Sequence, residues 1–133
     1  MKENGLSVYV FGYWEIFKEG QWHLAGNWVQ DDAFGVAPVP QNVVPDSWGK
    51  FNFNKYYEVS GERGLPDDLS SELRAFMAAF FPELNRPSWM TAAEIVVFAE
   101  WDENGRFAHL HLEPFIEQYQ LPSEQMRLVF WAE

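Results

Sequence analysis

The sequence predicts an α+β domain: a mostly antiparallel sheet with an N-terminal hairpin and two helices packed on one side. Strand-like segments stand near both ends of the chain, helix-like segments lie between them, and neither strand–helix–strand alternation nor an internal repeat occurs. The 133 residues fit a single domain, residues 1–133. With 47% hydrophobic and 18% aromatic residues, the chain can fill a core rather than stay disordered.

The N-terminal segment predicts the hairpin. Its first arm is β-branched and aromatic, its turn is Lys18-Glu19-Gly20-Gln21, and its second arm runs over residues 22–29. Both alternating sets of side chains in the first arm are apolar, so we expect a central strand covered on both faces. The proline-rich residues 30–50 predict a long loop, and "FNFNKYYEV" (51–59) alternates as a strand does.

Two helices follow in the prediction. In "RGLPDDLSSELRAFMAAFFPEL", Asp67, Asp68 and Ser70 suit a helix start, an apolar stripe recurs at helical spacing, and Pro82 ends the run. A second helix is expected from about residue 92, because Thr91-x-x-Glu94 is a capping box. After the turn "DENG", residues 106–112 and the C-terminal "QMRLVFWAE" are expected to be strands.

Charge and composition narrow the function classes. The chain has 20 acidic and 9 basic residues, a formal charge of −11, which disfavours nucleic acid and anionic membranes. A basic protein surface, a cation and a neutral small molecule remain as partner classes, and a basic protein is the expected partner. There is no cysteine, no run long enough to cross a membrane and no signal-peptide pattern at the N-terminus, so we expect a cytoplasmic protein. No catalytic motif occurs, and adjacent carboxylates fall in caps and turns. We therefore expect no catalytic residue and no cofactor, and an enzyme is the less favoured interpretation.

Four segments, "FGYWEI", "RGLPDDLSSEL", "SWMTAAE" and "RLVFW", carry a resemblance. Together they are similar to a group of small acidic, largely uncharacterised proteins from bacteria and phages. The resemblance covers about a third of the chain and includes no functional motif. It implies a shared fold and a bacterial or phage setting, and it transfers no active site.

The strongest candidate site is an acidic cluster around one tryptophan. Charge speeds the approach of an oppositely charged surface, and an aromatic side chain supplies most of the affinity once it is buried. The sequence therefore predicts a non-catalytic acidic binding protein that masks a basic surface of a partner, such as a toxin-immunity protein or a phage-encoded inhibitor of a host defence complex. The expected partner-binding residues are Glu94, Glu100, Trp101, Asp102 and Glu103, with Asp31, Asp32 and Trp48 from the predicted loop.

Two alternatives remain open from the sequence. If residues 106–112 form a strand, His109, His111 and Glu113 project from one side and could bind a metal in a small metal- or ligand-binding enzyme, with His23 as a further candidate. The second alternative is a homodimeric structural or assembly protein that pairs through an exposed aromatic face.

Overall fold

The computed structural model describes residues 10–25, 28–31, 35–38 and 53–132, and these residues form an α+β fold, as predicted. None of the helices in these ranges is both long and apolar enough to cross a membrane. In chain order the elements are β1 (Val10–Lys18), β2 (Gln21–Leu24), β3 (Trp28–Asp31), β4 (Gly35–Pro38), α1 (Phe53–Ser60), α2 (Ser71–Phe80), β5 (Asn85–Thr91), α3 (Ala92–Trp101), α4 (Glu103–Tyr119), a 3₁₀ turn (Ser123–Gln125) and β6 (Met126–Ala132).

The main sheet has four strands in the order β2-β1-β6-β5, and every pairing is antiparallel. The predicted N-terminal hairpin is confirmed. Glu19 (φ 54°) and Gly20 (φ 78°) both have positive φ, as the centre of a type I′ turn requires. The second arm is shorter than predicted, because β2 ends at Leu24 and the chain then forms a separate two-stranded sheet from β3 and β4. The loop prediction for residues 30–50 is therefore wrong for residues 30–31, which end β3, and for Gly35–Pro38, which form β4. Residues 32–34 and 39–50 lie outside the described ranges.

Helices cover both faces of the sheet. Along β6, Leu128 and Phe130 pack into a core with α1, α3 and α4, whereas Val129 and Trp131 pack into a second core with α2. The expectation of a first strand covered on both faces is thereby confirmed. The placement of both predicted helices on one side is wrong, because successive side chains of a strand point to opposite faces and both faces of β1 and β6 are apolar.

Two segments predicted as strands are helices. Residues 53–60 form α1, in which Tyr56, Tyr57 and Ser60 are buried, the spacing of one helical face. Residues 106–112 lie inside α4, whose buried Ala108, Leu112 and Phe115 again recur at helical spacing. In both segments burial on one helical face prevails over the apparent alternation.

The two predicted helices are confirmed at their starts. The Ser70 side chain accepts a hydrogen bond from the backbone N–H of Leu73 and caps α2, which ends two residues before Pro82. Thr91 and Glu94 form the reciprocal capping box of α3, with both hydrogen bonds present. The C-terminal strand is confirmed as β6.

A buried ion network joins the sheet to the start of α2. Glu15 on β1 and Arg127 on β6 are paired residues in the sheet, and Arg127 Nε donates to Glu15 Oε1 at 2.6 Å. Arg127 Nη1 also donates to Asp68 Oδ1 (2.8 Å), and the Ser70 backbone N–H donates to Glu15 Oε2 (2.9 Å). The guanidinium lies 3.8 Å from the centre of the Trp22 ring. These contacts fix the entry to α2 against the sheet.

Candidate functional site

Trp101, the last residue of α3, presents an indole ring to solvent. Its side chain is 55% exposed, and it is the only exposed tryptophan among those whose side chains the structure describes. Trp14 and Trp131 are buried, and Trp22 and Trp89 are half-buried. Because burying an aromatic ring contributes strongly to binding, this residue is the best available anchor on the described surface.

An apolar groove runs beside Trp101, between α1 and α3. It has a volume of about 360 Å³ and is lined by Val59, Ala93, Glu94, Val97, Phe98 and Trp101. Val97 is 57% exposed, and the Trp101 ring packs on Phe98 with ring centres 5.2 Å apart. The groove exists because α3 is apolar on nearly every side: one face is buried, while valines remain on the other.

Three carboxylate residues lie next to Trp101 in the chain. Glu100 and Glu103 are exposed, and their side chains make no hydrogen bond or ion pair with any other residue that the structure describes. Asp102 caps α4 through a hydrogen bond from the Asn104 backbone N–H (2.8 Å), and this bond lowers the pKa of Asp102 below its usual range. We name Val97, Glu100, Trp101, Asp102 and Glu103 the Trp101 surface.

Glu94, a predicted partner-binding residue, is instead engaged within the fold. Arg63 Nη1 donates to Glu94 Oε1 at 2.8 Å, its Nη2 donates to the other carboxylate oxygen, and the Thr91 backbone N–H donates to Oε1 at 2.9 Å. The hydrogen bond from Arg63 holds the pKa of Glu94 below its usual range. Glu94 therefore forms part of the groove wall, and the accessible negative charge of the Trp101 surface comes from Glu100, Asp102 and Glu103.

Lys55 on α1 also belongs to this site, and sequence reasoning missed it. Its Nζ lies 5.8 Å from the centre of the Trp101 ring and 3.8 Å from Glu58 Oε1. The sequence predicts a strand over residues 51–59, which gives no reason to place Lys55 beside α3. The adjacent tyrosines and Ser60 at helical spacing are the pattern that could have found it.

The other three predicted partner-binding residues are Asp31, Asp32 and Trp48. Asp31 ends β3, and nothing is described of its side chain. Asp32 and Trp48 lie outside the described residues. The candidate site is therefore the Trp101 surface with its groove.

The proposed histidine site loses its geometric basis. Residues 106–112 are helical, and residues two apart in a helix lie on opposite sides of its axis, so His109 and His111 do not share a face. His109 is half-buried, and its Nδ1 makes no hydrogen bond to the described residues, whereas Glu113 is exposed. The Nδ1 atom of His23 lies 3.5 Å from Glu72 Oε1. Within the described ranges, no three residues of the His, Cys, Asp or Glu types are grouped closely enough to hold a metal ion.

No protein-family model matches this chain, and comparisons with curated proteins and with solved structures likewise return no match. Function is therefore inferred from the chemistry of the surface itself. An exposed indole, an apolar groove and exposed carboxylates are groups whose chemistry suits a cationic, partly apolar ligand.

Proposed function

We propose that this protein is a non-catalytic binding protein whose Trp101 surface docks on a basic region of a partner protein and masks it. The observation that carries the proposal is the exposed Trp101 ring, with Asp102 ionised beside it and Glu100 and Glu103 accessible on either side. A toxin-immunity protein or a phage-encoded inhibitor of a host defence complex would act by such masking. Both kinds of protein fit the bacterial or phage setting that the sequence resemblance implies.

The two parts of the surface have different roles in this proposal. The formal charge of −11 and the local carboxylates attract a basic surface and raise the rate of encounter. Once the surfaces meet, Trp101 and Val97 lose water and supply most of the affinity, because well-packed aromatic anchors dominate binding energy at interfaces. In this proposal the carboxylates favour encounter with a basic surface, and the indole supplies most of the affinity.

A peptide selection tests the proposal and does not require the partner to be identified first. The purified full chain is used to select from a random peptide library displayed on phage, and the dissociation constants of the enriched peptides are then measured. We expect enriched peptides to combine lysine or arginine with a large apolar residue. Trp101→Ala should weaken their binding by about tenfold or more, as the loss of a binding hot spot does.

Leu110→Ala is the matched control, because Leu110 is a large apolar side chain on α4 that is 62% exposed and does not line the groove. It should leave the dissociation constant within about twofold, as for a contact outside the hot spot. The proposal would be contradicted if the enriched peptides lack basic residues, or if they bind Trp101→Ala as tightly as they bind the natural protein.

A second copy of this chain is the competing occupant of the same apolar residues. Val96, Val97, Trp101 and Leu110 are the exposed large hydrophobic residues of the described surface, and all lie on α3 or α4. Two surfaces of the same negative charge repel each other, which favours a basic partner over a second copy. Sedimentation at high concentration distinguishes a basic partner from a second copy, and we expect the mass of one chain. A dimer that Val97→Asp dissociates would show that this surface binds a second copy instead of a basic partner.

A further inference from the structure

We infer that Lys55 occupies, in the free protein, the face of Trp101 that an arginine of the partner takes on binding. This inference rests on the proposed function and adds the chemistry of the group that the partner must present. It also gives Lys55 a role as an internal competitor for the Trp101 surface.

The Trp101 surface already holds a cation in the free protein. The Lys55 ammonium lies 5.8 Å from the centre of the Trp101 ring, within the distance of about 6 Å at which an aromatic face attracts a cation. Its charge contributes to lowering the pKa of Asp102, after the larger effect of the Asn104 backbone hydrogen bond. Lys55 thus interacts with both the indole and a carboxylate of the Trp101 surface.

Lys55 is held weakly enough to be displaced. Its side chain is 36% exposed, and its ion-pair partner Glu58 is 65% exposed, at a separation of 3.8 Å. Exposed pairs of this kind contribute little to stability, because water and salt screen them. A partner side chain can therefore replace Lys55 at small cost, while Lys55 stays bound to solvent and to Glu58.

Arginine is the side chain best suited to make this exchange. Its planar guanidinium stacks on an aromatic ring and donates two parallel hydrogen bonds to a carboxylate, whereas the ammonium of lysine is a compact, strongly hydrated charge. At the Trp101 surface the ring and the carboxylates of Glu100 and Asp102 come from neighbouring positions in the chain. We expect a partner arginine to make both kinds of contact, whereas Lys55 competes for only part of them.

The experiment uses a small probe, N-acetyl-arginine amide, and follows the indole N–H resonance of Trp101 in the full chain by NMR, assigned through Trp101→Phe. Removing Lys55 should tighten the apparent dissociation constant of the probe by about two- to fivefold, the effect of losing one competing contact between a cation and an aromatic ring. Lys55→Ala and Lys55→Gln are both used, so that a change in the helicity of α1 is separated from the loss of charge. The spread of the NMR resonances reports that each variant is folded.

Arg74→Ala is the matched control, because it removes the same charge from an exposed position on α2, which packs in the other core. It should leave the dissociation constant unchanged within about 1.5-fold, since charges farther apart than roughly 8 Å are screened at physiological salt. The neutral isostere N-acetyl-citrulline amide should leave the Trp101 resonance in place.

The inference is overturned if the arginine probe binds the natural protein and Lys55→Ala equally, if Arg74→Ala gives the same gain, or if no variant responds to the probe. These outcomes differ from failure of the proposed function. Basic peptides that need Trp101, together with no gain in Lys55→Ala, would remove the role of Lys55 and keep the binding surface. If the probe responds as expected but no basic peptide is selected, the proposed binding function is removed and the contact of Lys55 with Trp101 is kept.

Discussion

Arg127→Met is the substitution that most severely tests the structure of this protein. The guanidinium is almost completely buried and binds Glu15 Oε1 (2.6 Å), Asp68 Oδ1 (2.8 Å) and the Asp68 carbonyl oxygen (3.3 Å), while stacking on Trp22. Methionine fills much of the same volume but carries no charge. The substitution therefore leaves the fully buried Glu15 carboxylate with the Ser70 backbone N–H as its remaining donor among the described residues.

The expected cost is large because an unpaired charge stays in the core. Removing one partner of a buried ion pair typically destabilises a protein by about 3–5 kcal/mol. A domain of ordinary stability has about 5–15 kcal/mol in total, so the loss is about a third to a half of the free energy of unfolding for a domain near the middle of that range. The contact of Arg127 with Asp68 adds less, because the Asp68 side chain is 65% exposed.

The assay is urea unfolding at pH 7, followed by far-UV circular dichroism. Glu15→Leu and the double variant Glu15→Leu/Arg127→Met complete the cycle, because the double variant leaves neither charge in the core. We expect the double variant to be more stable than Arg127→Met alone, and less destabilised than the sum of the single effects by about 2–3 kcal/mol. A loss below about 1 kcal/mol in Arg127→Met, or strictly additive effects, would refute the reasoning.

Two further predictions concern stability. A Cβ at Gly105 would overlap the backbone carbonyl carbon of Phe98, so Gly105→Ala should push α3 and α4 apart and cost about 1–3 kcal/mol in urea unfolding. Arg106→Ala, at an exposed neighbouring position, should cost about 0.5 kcal/mol or less. The hydrogen bonds from Arg63 lower the pKa of Glu94. Burial raises the pKa of Asp68, but the contacts with Arg127 lower it overall. The stabilisation from both carboxylates is therefore present above the unfolded pKa of about 4 and is lost as the pH falls through their folded pKa values. The urea midpoint should therefore drop between pH 5 and pH 3 (about the range of these groups), and the drop should be smaller in Glu94→Gln; an equal drop in that variant would contradict the assignment.

The sequence predicted the fold best where local chemistry and tertiary burial agree. Ser70 and the Thr91–Glu94 box cap their helices as expected, and the apolar faces of the first strand correctly indicated a central position. The prediction failed for α1 and α4, where apolar residues alternate with polar ones over a few positions and also fit one face of a helix. Choosing between the two periods required knowing that Tyr56 and Leu112 pack against the sheet layer from one side.

The candidate site was predicted in part. Trp101 was expected to anchor an acidic surface, and the structure does place it in solvent beside Glu100 and Glu103. The engagement of Glu94 by Arg63 and the position of Lys55 over the ring depend on contacts between distant segments, which no local pattern encodes. The ion network of Glu15 and Arg127 was missed for the same reason.

The most direct test of the Trp101 surface is the salt dependence of the dissociation constant for an enriched basic peptide. The natural chain is compared with Glu100→Lys/Glu103→Lys and with Asp67→Lys/Glu83→Lys, a control that makes the same charge change at exposed positions flanking α2. We expect binding to the natural chain and to the control to weaken as salt rises from about 50 to about 300 mM, and the Glu100/Glu103 variant to bind weakly with a much flatter slope. Equal dissociation constants for all three proteins across that range would contradict the proposal that this surface binds a cationic partner.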